Sequence, residues 1–330
     1  MRRDHGVAVV VIALVIASAL VSARAETEVL QLDERLPDYQ RSDIPADGKR
    51  VRSAGSSTLT PLVHRWSEEF RKIYPTVQFD IAGGGTAAGF AALLQGSADL
   101  AAMSRPASAR EIEAFSKTFG YPPAQIVIGT DAVAIYVNKN NPLQRISLTQ
   151  LDALFSASPK RGGAQIKTWG ELGVTGALAD KPVRLRGPSR SHGLYALFRD
   201  DVLQGVDYRL EMQSEIVPSV IVQNVGIDPA AIGFASRYYA SQRTRMLSVS
   251  ETPDSPAAAP TQANSLNGSY PLARQLFFYV NRKPQTAVPT AIASFVRFVC
   301  SKQGQAAALQ EGSLTIDAGT AERGCLERIR

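Results

Sequence analysis

From Arg50 onward the chain alternates short apolar runs with stretches of helical spacing. Val51–Ala54 predicts a strand, Gly55-Ser56-Ser57-Thr58 a turn, and Thr60-Pro61 an N-cap followed by a first helical turn. Leu62, Trp66, Phe70 and Ile73 then recur at three- to four-residue spacing, the mark of one buried helical face. Val77–Ile81 alternates as a strand does, Gly83-Gly84-Gly85-Thr86 turns, and Ala87–Gln95 is helical. Asp99–Met103 and Val127–Val137 predict further strands. Strand, turn and helix in succession argue for an α/β fold with parallel strands.

The middle of the chain repeats the theme. Leu148–Phe155 and Thr168–Leu172 read as short helices and Val183–Leu185 as a strand. The turn Arg186-Gly187-Pro188-Ser189-Arg190-Ser191-His192-Gly193 leads into a helix over Leu194–Leu203, with Tyr195, Phe198 and Val202 on one side. Glu251–Asn267, rich in Pro, Ala, Ser, Thr and Asn, predicts an exposed loop. Leu276–Val280 is an apolar strand, and Val288–Ser301 a helix with Ile292, Phe295, Val296 and Val299 inward. No internal repeat or heptad pattern is present.

The N-terminus follows different rules. Met1-Arg2-Arg3 is basic, Val7–Val21 is almost unbroken apolar sequence, and Ala23-Arg24-Ala25 places small residues where a signal peptidase reads. Residues 1–25 therefore read as a secretory signal; the apolar run is shorter than the roughly 20 residues a spanning helix needs. Residues 26–48 are polar and unpatterned, as in a loosely packed arm. Removing the signal lowers the net charge from +6, leaving 33 basic against 29 acidic side chains with no basic run. The electrostatic footprint of nucleic-acid binding is missing, while a mild preference for small anions remains. The two cysteines, Cys300 and Cys325, read as a disulfide in an oxidising compartment.

Three segments share one construction: a strand, a short turn of Gly and hydroxyl residues, then a helix. They are Gly55–Thr58, Gly83–Thr86 and Arg186–Gly193. A helix start presents unpaired N–H groups and a partial positive charge, Gly admits a ligand to the backbone, and Ser or Thr adds a hydroxyl. Any one such turn is ordinary capping; three together point to a shared anion site. Gly83–Ala88 also fits a loose GxGxxA dinucleotide pattern, but Asp99 comes too early for its ribose-binding acid. No GxSxG elbow or SxxK sequence is present. His64 and Glu68 are four apart on a helix, too few ligands for a metal site. His192 lies in the third turn, where it either donates to an anion or faces water.

The segments GSSTLTPLVHRWSEEFRKIYP, IAGGGTAAGFAALLQGSADLAAMSRP, DAVAIYVNKNNP, AAIGFASR and YPLARQLFFYVNRKP resemble those of the PstS-like phosphate-binding proteins of ABC transporters, in the same order over roughly residues 50–315. The resemblance implies a type 2 periplasmic-binding-protein fold: two α/β lobes joined by a hinge, with the ligand in the cleft. Lobe one is expected at 50–138 and 236–330, lobe two at 139–235. Carried over by position, Ser57 and Thr58 stand in the first ligand loop and Thr86 in the second, replacing a more usual Ser. Ser104 stands where some members carry an Asp that accepts the proton distinguishing hydrogen phosphate from sulfate. The third loop, commonly Arg…Ser-Gly-Thr, becomes Arg186, Arg190, Ser191, His192, Gly193 and Leu194, so its Thr hydroxyl is lost. The resulting expectation is a periplasmic, monomeric, non-enzymatic carrier of inorganic phosphate that serves an ABC permease. It needs no cofactor or metal, binds no nucleic acid, and is not membrane-embedded after processing. The alternatives are a binder of another oxyanion, a phosphate sensor, or a secreted phosphoester hydrolase.

Overall fold

The computed structural model describes residues 30–43, 50–311 and 313–329; the proposed signal sequence lies outside them. Eleven strands and nine principal helices follow one another among these residues. The first part runs β1 (Arg50–Gly55), α1 (Thr60–Ile73), β2 (Gln78–Gly84), α2 (Thr86–Leu94), β3 (Leu100–Met103), α3 (Ala109–Phe119) and β4 (Ala124–Asn138). The second runs β5 (Arg145–Ser147), α4 (Leu148–Phe155), β6 (Arg184–Pro188), α5 (Gly193–Asp201), β7 (Gln213–Glu215), α6 (Pro218–Ile227), β8 (Ala231–Ser236), β9 (Thr244–Met246) and β10 (Ser248–Ser250). The last comprises α7 (Gln262–Leu266), β11 (Ala273–Val280), α8 (Thr290–Val299), α9 (Lys302–Gln310) and short helical turns over 318–329.

β4 organises the topology. Its first half pairs antiparallel with β11, extending a sheet ordered β2-β1-β3-β11-β4 in which β1, β2 and β3 are parallel. Its second half, Val133–Val137, pairs antiparallel with β8, which continues through parallel β6 and β7. Nearly all of β4 is buried, as befits a strand covered on both faces. Two apolar cores lie on either side of this crossing. Trp66, Phe70, Phe278, Phe295 and Phe298 lie in the first, where Trp66 Nε1 also donates to the Gly304 carbonyl at 2.7 Å. Phe155, Phe198, Tyr208 and Phe234 lie in the second, with the Phe198 and Phe234 rings stacked 3.9 Å apart.

Several sequence expectations change. The cores divide within β4, between Ile128 and Ala132, and Leu247, Val249, Tyr270 and Leu272 pack in the second core. Buried residues up to Leu272, beyond the expected limit of 235, thus contribute to the second core. Thr60 is the first residue of α1 rather than its cap; Leu59 holds that position, and the Thr60 hydroxyl donates to the Ser56 carbonyl at 3.1 Å. Thr168–Leu172 contracts to a 3-10 turn at Gly170–Leu172. The loop expected at Glu251–Asn267 contains α7, with Gln262 and Ser265 buried.

The described part of the N-terminal arm is packed rather than loose. Leu30 meets the second core, while Leu32, Leu36 and Tyr39 meet the first. The Gln31 backbone and Gln262 side chain exchange two hydrogen bonds of 2.6 Å, and the Pro37 carbonyl accepts from the Lys302 amide at 2.8 Å. At the other end of the chain Cys300 and Cys325 are bonded, with their Cα atoms 6.5 Å apart, which fastens the C-terminal turns to the end of α8. Closing a loop of 25 residues in the unfolded chain removes entropy equivalent to roughly 3 kcal/mol. Reduction, or the paired change Cys300→Ala and Cys325→Ala, is therefore expected to lower the denaturant midpoint. Superimposable unfolding curves with and without reductant would contradict this.

Candidate functional site

Three helix starts meet where the two halves touch. Gly85 precedes α2 with φ of 95°, a backbone conformation that glycine adopts without strain. Its amide donates to the Gly55 carbonyl at 2.9 Å, joining the first and second turns. From the opposite half, the Ser191 carbonyl lies where a Gly85 Cβ would sit, 2.2 Å away. Gly193, at the start of α5, comes equally close to the first half. A Cβ there would be 2.6 Å from Thr86 Oγ1 and 2.8 Å from Ser104 Oγ. None of α1, α2 and α5 has an acidic residue of its own in its first turn to offset the partial positive charge of these helix starts.

The side chains expected to serve the site divide into two groups. Thr58, Thr86, Ser104 and the Gly193 backbone are drawn together, with Ser57 beside them in the first turn; Ser191 approaches through its carbonyl, while its exposed hydroxyl lies 3.0 Å from that of Ser189. Thr86 and Ser104 are buried, their hydroxyls 3.2 Å apart, and Thr86 Oγ1 also accepts from the Ser104 amide at 3.3 Å. Thr58 Oγ1 lies 3.4 Å from His192 Nε2 across the boundary. The neighbouring Ser56 hydroxyl is buried and has no hydrogen-bond partner among the described residues. Arg186 and Arg190 point to other partners. The Arg186 guanidinium is 3.6 Å from Glu215, and its buried Nε has no hydrogen-bond partner among the described residues. Arg190 is exposed and lies over the Tyr195 ring, 5.8 Å from the centroid.

A buried cluster that the turn motifs do not contain adjoins the first turn, since Asp131 and Ser236 line a small cavity together with Thr58. Asp131, midway along β4, accepts from Ser236 Oγ at 2.6 Å and from its neighbour's amide, Ala132 N, at 2.8 Å. It also accepts from Arg274 through Nε at 3.0 Å and Nη2 at 2.6 Å. Arg274 Nη1 donates to the Ser104 carbonyl at 3.1 Å. The available signal was a charged residue inside an otherwise apolar strand: such a charge needs a buried counter-charge. Asp131, Ser236 and Arg274 fall in three separate segments of the resemblance, and only the fold shows that they meet. Asp131→Ala should cost about 3–5 kcal/mol by stranding the Arg274 charge, whereas Asp131→Leu combined with Arg274→Met should recover part of the loss. Denaturant unfolding of both variants is the check, and a mild single change would refute the assignment.

His192 is 4% exposed and caps α5, its Nδ1 accepting from the Leu194 amide at 3.1 Å. Burial, aided by the nearby Arg274 charge, lowers its pKa from 6.5 to about 4. Above the unfolded-state value the imidazole is neutral in both states, and the full stability is present. As pH falls from about 6.5 towards 4 the unfolded chain takes up a proton that the folded chain refuses. Stability should then drop by up to about 3 kcal/mol. Denaturant midpoints across this range should fall more steeply for the parent than for His192→Asn; parallel slopes would exclude His192 as the source.

The fold and this cradle define a two-lobed solute-binding protein. Residues 35–303 match the PBP superfamily domain, and the chain belongs to that superfamily. Within it the chain belongs to the PstS family. It is 34% identical over 304 residues to the phosphate-binding protein PstS of Pseudomonas aeruginosa, covering 92% of this chain and 94% of the relative. It is 30% identical over 269 residues to the protein SphX of Synechococcus elongatus, covering 81% and 75%. A crystal structure of an ABC-type phosphate transport receptor from Vibrio cholerae shares the type 2 periplasmic-binding-protein fold, with a TM-score of 0.65 at 19% identity over 80% of this chain and 99% of that one.

Proposed function

We propose that this protein captures inorganic phosphate outside the cytoplasm and delivers it to an ABC permease, acting as a monomer after removal of residues 1–25. The observation that carries the reading is the meeting of three helix starts without first-turn acids, contributed by both halves of a chain of the PstS family. Such a cradle favours a compact anion through backbone N–H groups and hydroxyls, and it makes or breaks no bond. Ligand binds between the halves and favours their closure about the β4 and β11 crossing. Ser57, Thr58, Thr86, Ser104, Ser191 and Gly193 form the cradle. Of the two arginine candidates Arg186 is the stronger, because Arg190 lies exposed over Tyr195 whereas Arg186 keeps a buried Nε with donor capacity; it would have to leave Glu215 to reach the oxyanion.

Calorimetric titration with phosphate, sulfate and arsenate tests this reading, together with small-angle scattering. Phosphate should bind and reduce the radius of gyration; no binding heat with any of the three would overturn the assignment. Ser104 cannot act as a carboxylate acceptor, so the phosphate-to-sulfate preference should fall well short of the roughly 10⁴–10⁵-fold discrimination available to a site built around a ligand hydroxyl. Thr86→Ala should weaken phosphate binding by about 1 kcal/mol or slightly more, with Arg186→Ala costing about 2–5 kcal/mol. Arg190→Ala should change it by less than about 0.5 kcal/mol. The reverse order for the two arginines would move the guanidinium contact to Arg190.

A further inference from the structure

We propose that His192 is a ligand-contacting residue of the second half, presenting a neutral Nε2–H to an unprotonated oxygen of the bound oxyanion. This inference rests on the phosphate-binding reading and decides between the two roles open to His192 in the third turn, donating to an anion or facing water. The family's third loop places a small hydroxyl residue before its Gly, whereas this chain places an imidazole there.

The geometry fixes which ring nitrogen carries the proton. Nδ1 accepts the Leu194 amide at 3.1 Å and therefore holds a lone pair. Burial and the neighbouring Arg274 charge keep the ring from taking a second proton. The one ring proton consequently sits on Nε2, on the side facing the first half. Among the described residues its sole hydrogen-bond contact is Thr58 Oγ1 at 3.4 Å, longer than the usual 2.9–3.0 Å of a ring N–H donor, and Thr58 Oγ1 makes no other hydrogen bond to them. A buried donor held this loosely against a first-loop hydroxyl has unused bonding capacity in the seam where the ligand is expected. A small separation of the halves would let one anion oxygen accept from both groups.

The same geometry gives the contact its selectivity. With Nδ1 occupied and Nε2 protonated, His192 can only donate through its ring. It therefore accepts no proton from a hydrogen phosphate, and it favours on its side an unprotonated oxygen, the stronger acceptor. Being neutral, it also adds hydrogen bonding without placing a second charge near Arg274. An arginine or lysine at this position would lack that advantage.

His192→Asn separates the cap from the proposed contact. Asparagine is a good N-cap and can accept the Leu194 amide, but its shorter side chain cannot replace the distal ring N–H. The full processed protein and this variant should be titrated with phosphate, sulfate and arsenate, with circular dichroism and melting at pH 7.5 as folding checks. A folded variant should bind phosphate at least about tenfold more weakly, a loss expected for a buried hydrogen bond to a charged group. Binding within about twofold of the parent would overturn the proposal while leaving the phosphate reading intact. If the variant does not fold, nitrogen-15 spectra of the parent decide. The His192 ring should show the Nε2–H form, and its resonance should move on saturation with phosphate. A stationary resonance, or the opposite tautomer, would refute the contact. A parent with no response to any of the three anions would overturn both readings.

Discussion

The Asp131 carboxylate is the constraint around which the two halves are arranged. It lies where β4 passes from one sheet to the other and is 5% exposed, so its charge depends chiefly on partners within the protein. The Arg274 guanidinium balances it, while Ser236 and the Ala132 amide satisfy further lone pairs. Because Arg274 lies on β11 and Ser236 on β8, one charge ties three strands together. Arg274 then reaches the Ser104 carbonyl. The ligand side of the first half is thereby braced from behind by the same group that holds the crossing. A charge in this position is stabilising only when all its partners are present, which favours a unique strand register.

Much of this architecture was legible in the order of apolar runs. The α4 boundaries and the inward face of α8 follow directly from residue spacing, as do the parallel strands β1 to β3. Other elements carried signals that went unused. Ser108 and Glu111 form a capping box at the start of α3, and Pro218 occupies the first turn of α6. The arm before β1 misled for a physical reason. In its described part, residues 30–43, Leu30, Leu32, Leu36 and Tyr39 are laid across two cores around a turn at 34–36, so they show neither helical nor strand periodicity. Its anchors, such as Gln31 with Gln262, join residues 231 positions apart and leave no local pattern.

The site was legible in its turns but not in its side-chain commitments. Thr58, Thr86 and Ser104 are brought together because each follows a strand that ends at the same edge of the first half. For the third turn, the sequence supplied two arginines, a serine and a histidine without indicating which faces the seam. The fold separates them by local chemistry. Glu215 draws Arg186 sideways, Tyr195 supports Arg190 in solvent, and the α5 cap turns the His192 ring inward. Hydrogen bonding to the backbone thus selects the inward group, an outcome that residue charge alone does not reveal.

The bare Cα of Gly193 has a practical consequence. Thr86 and Ser104 occupy the space that even a methyl group would need, and no positive φ reserves the position for glycine. Alanine there would fit the backbone of α5 yet act as a doorstop between the halves. The result would be a protein biased toward its open shape with its distant cores untouched. Paired with the unmodified chain, it offers a matched reference for a reagentless optical sensor, separating signals that report closure from those caused by the dye's surroundings.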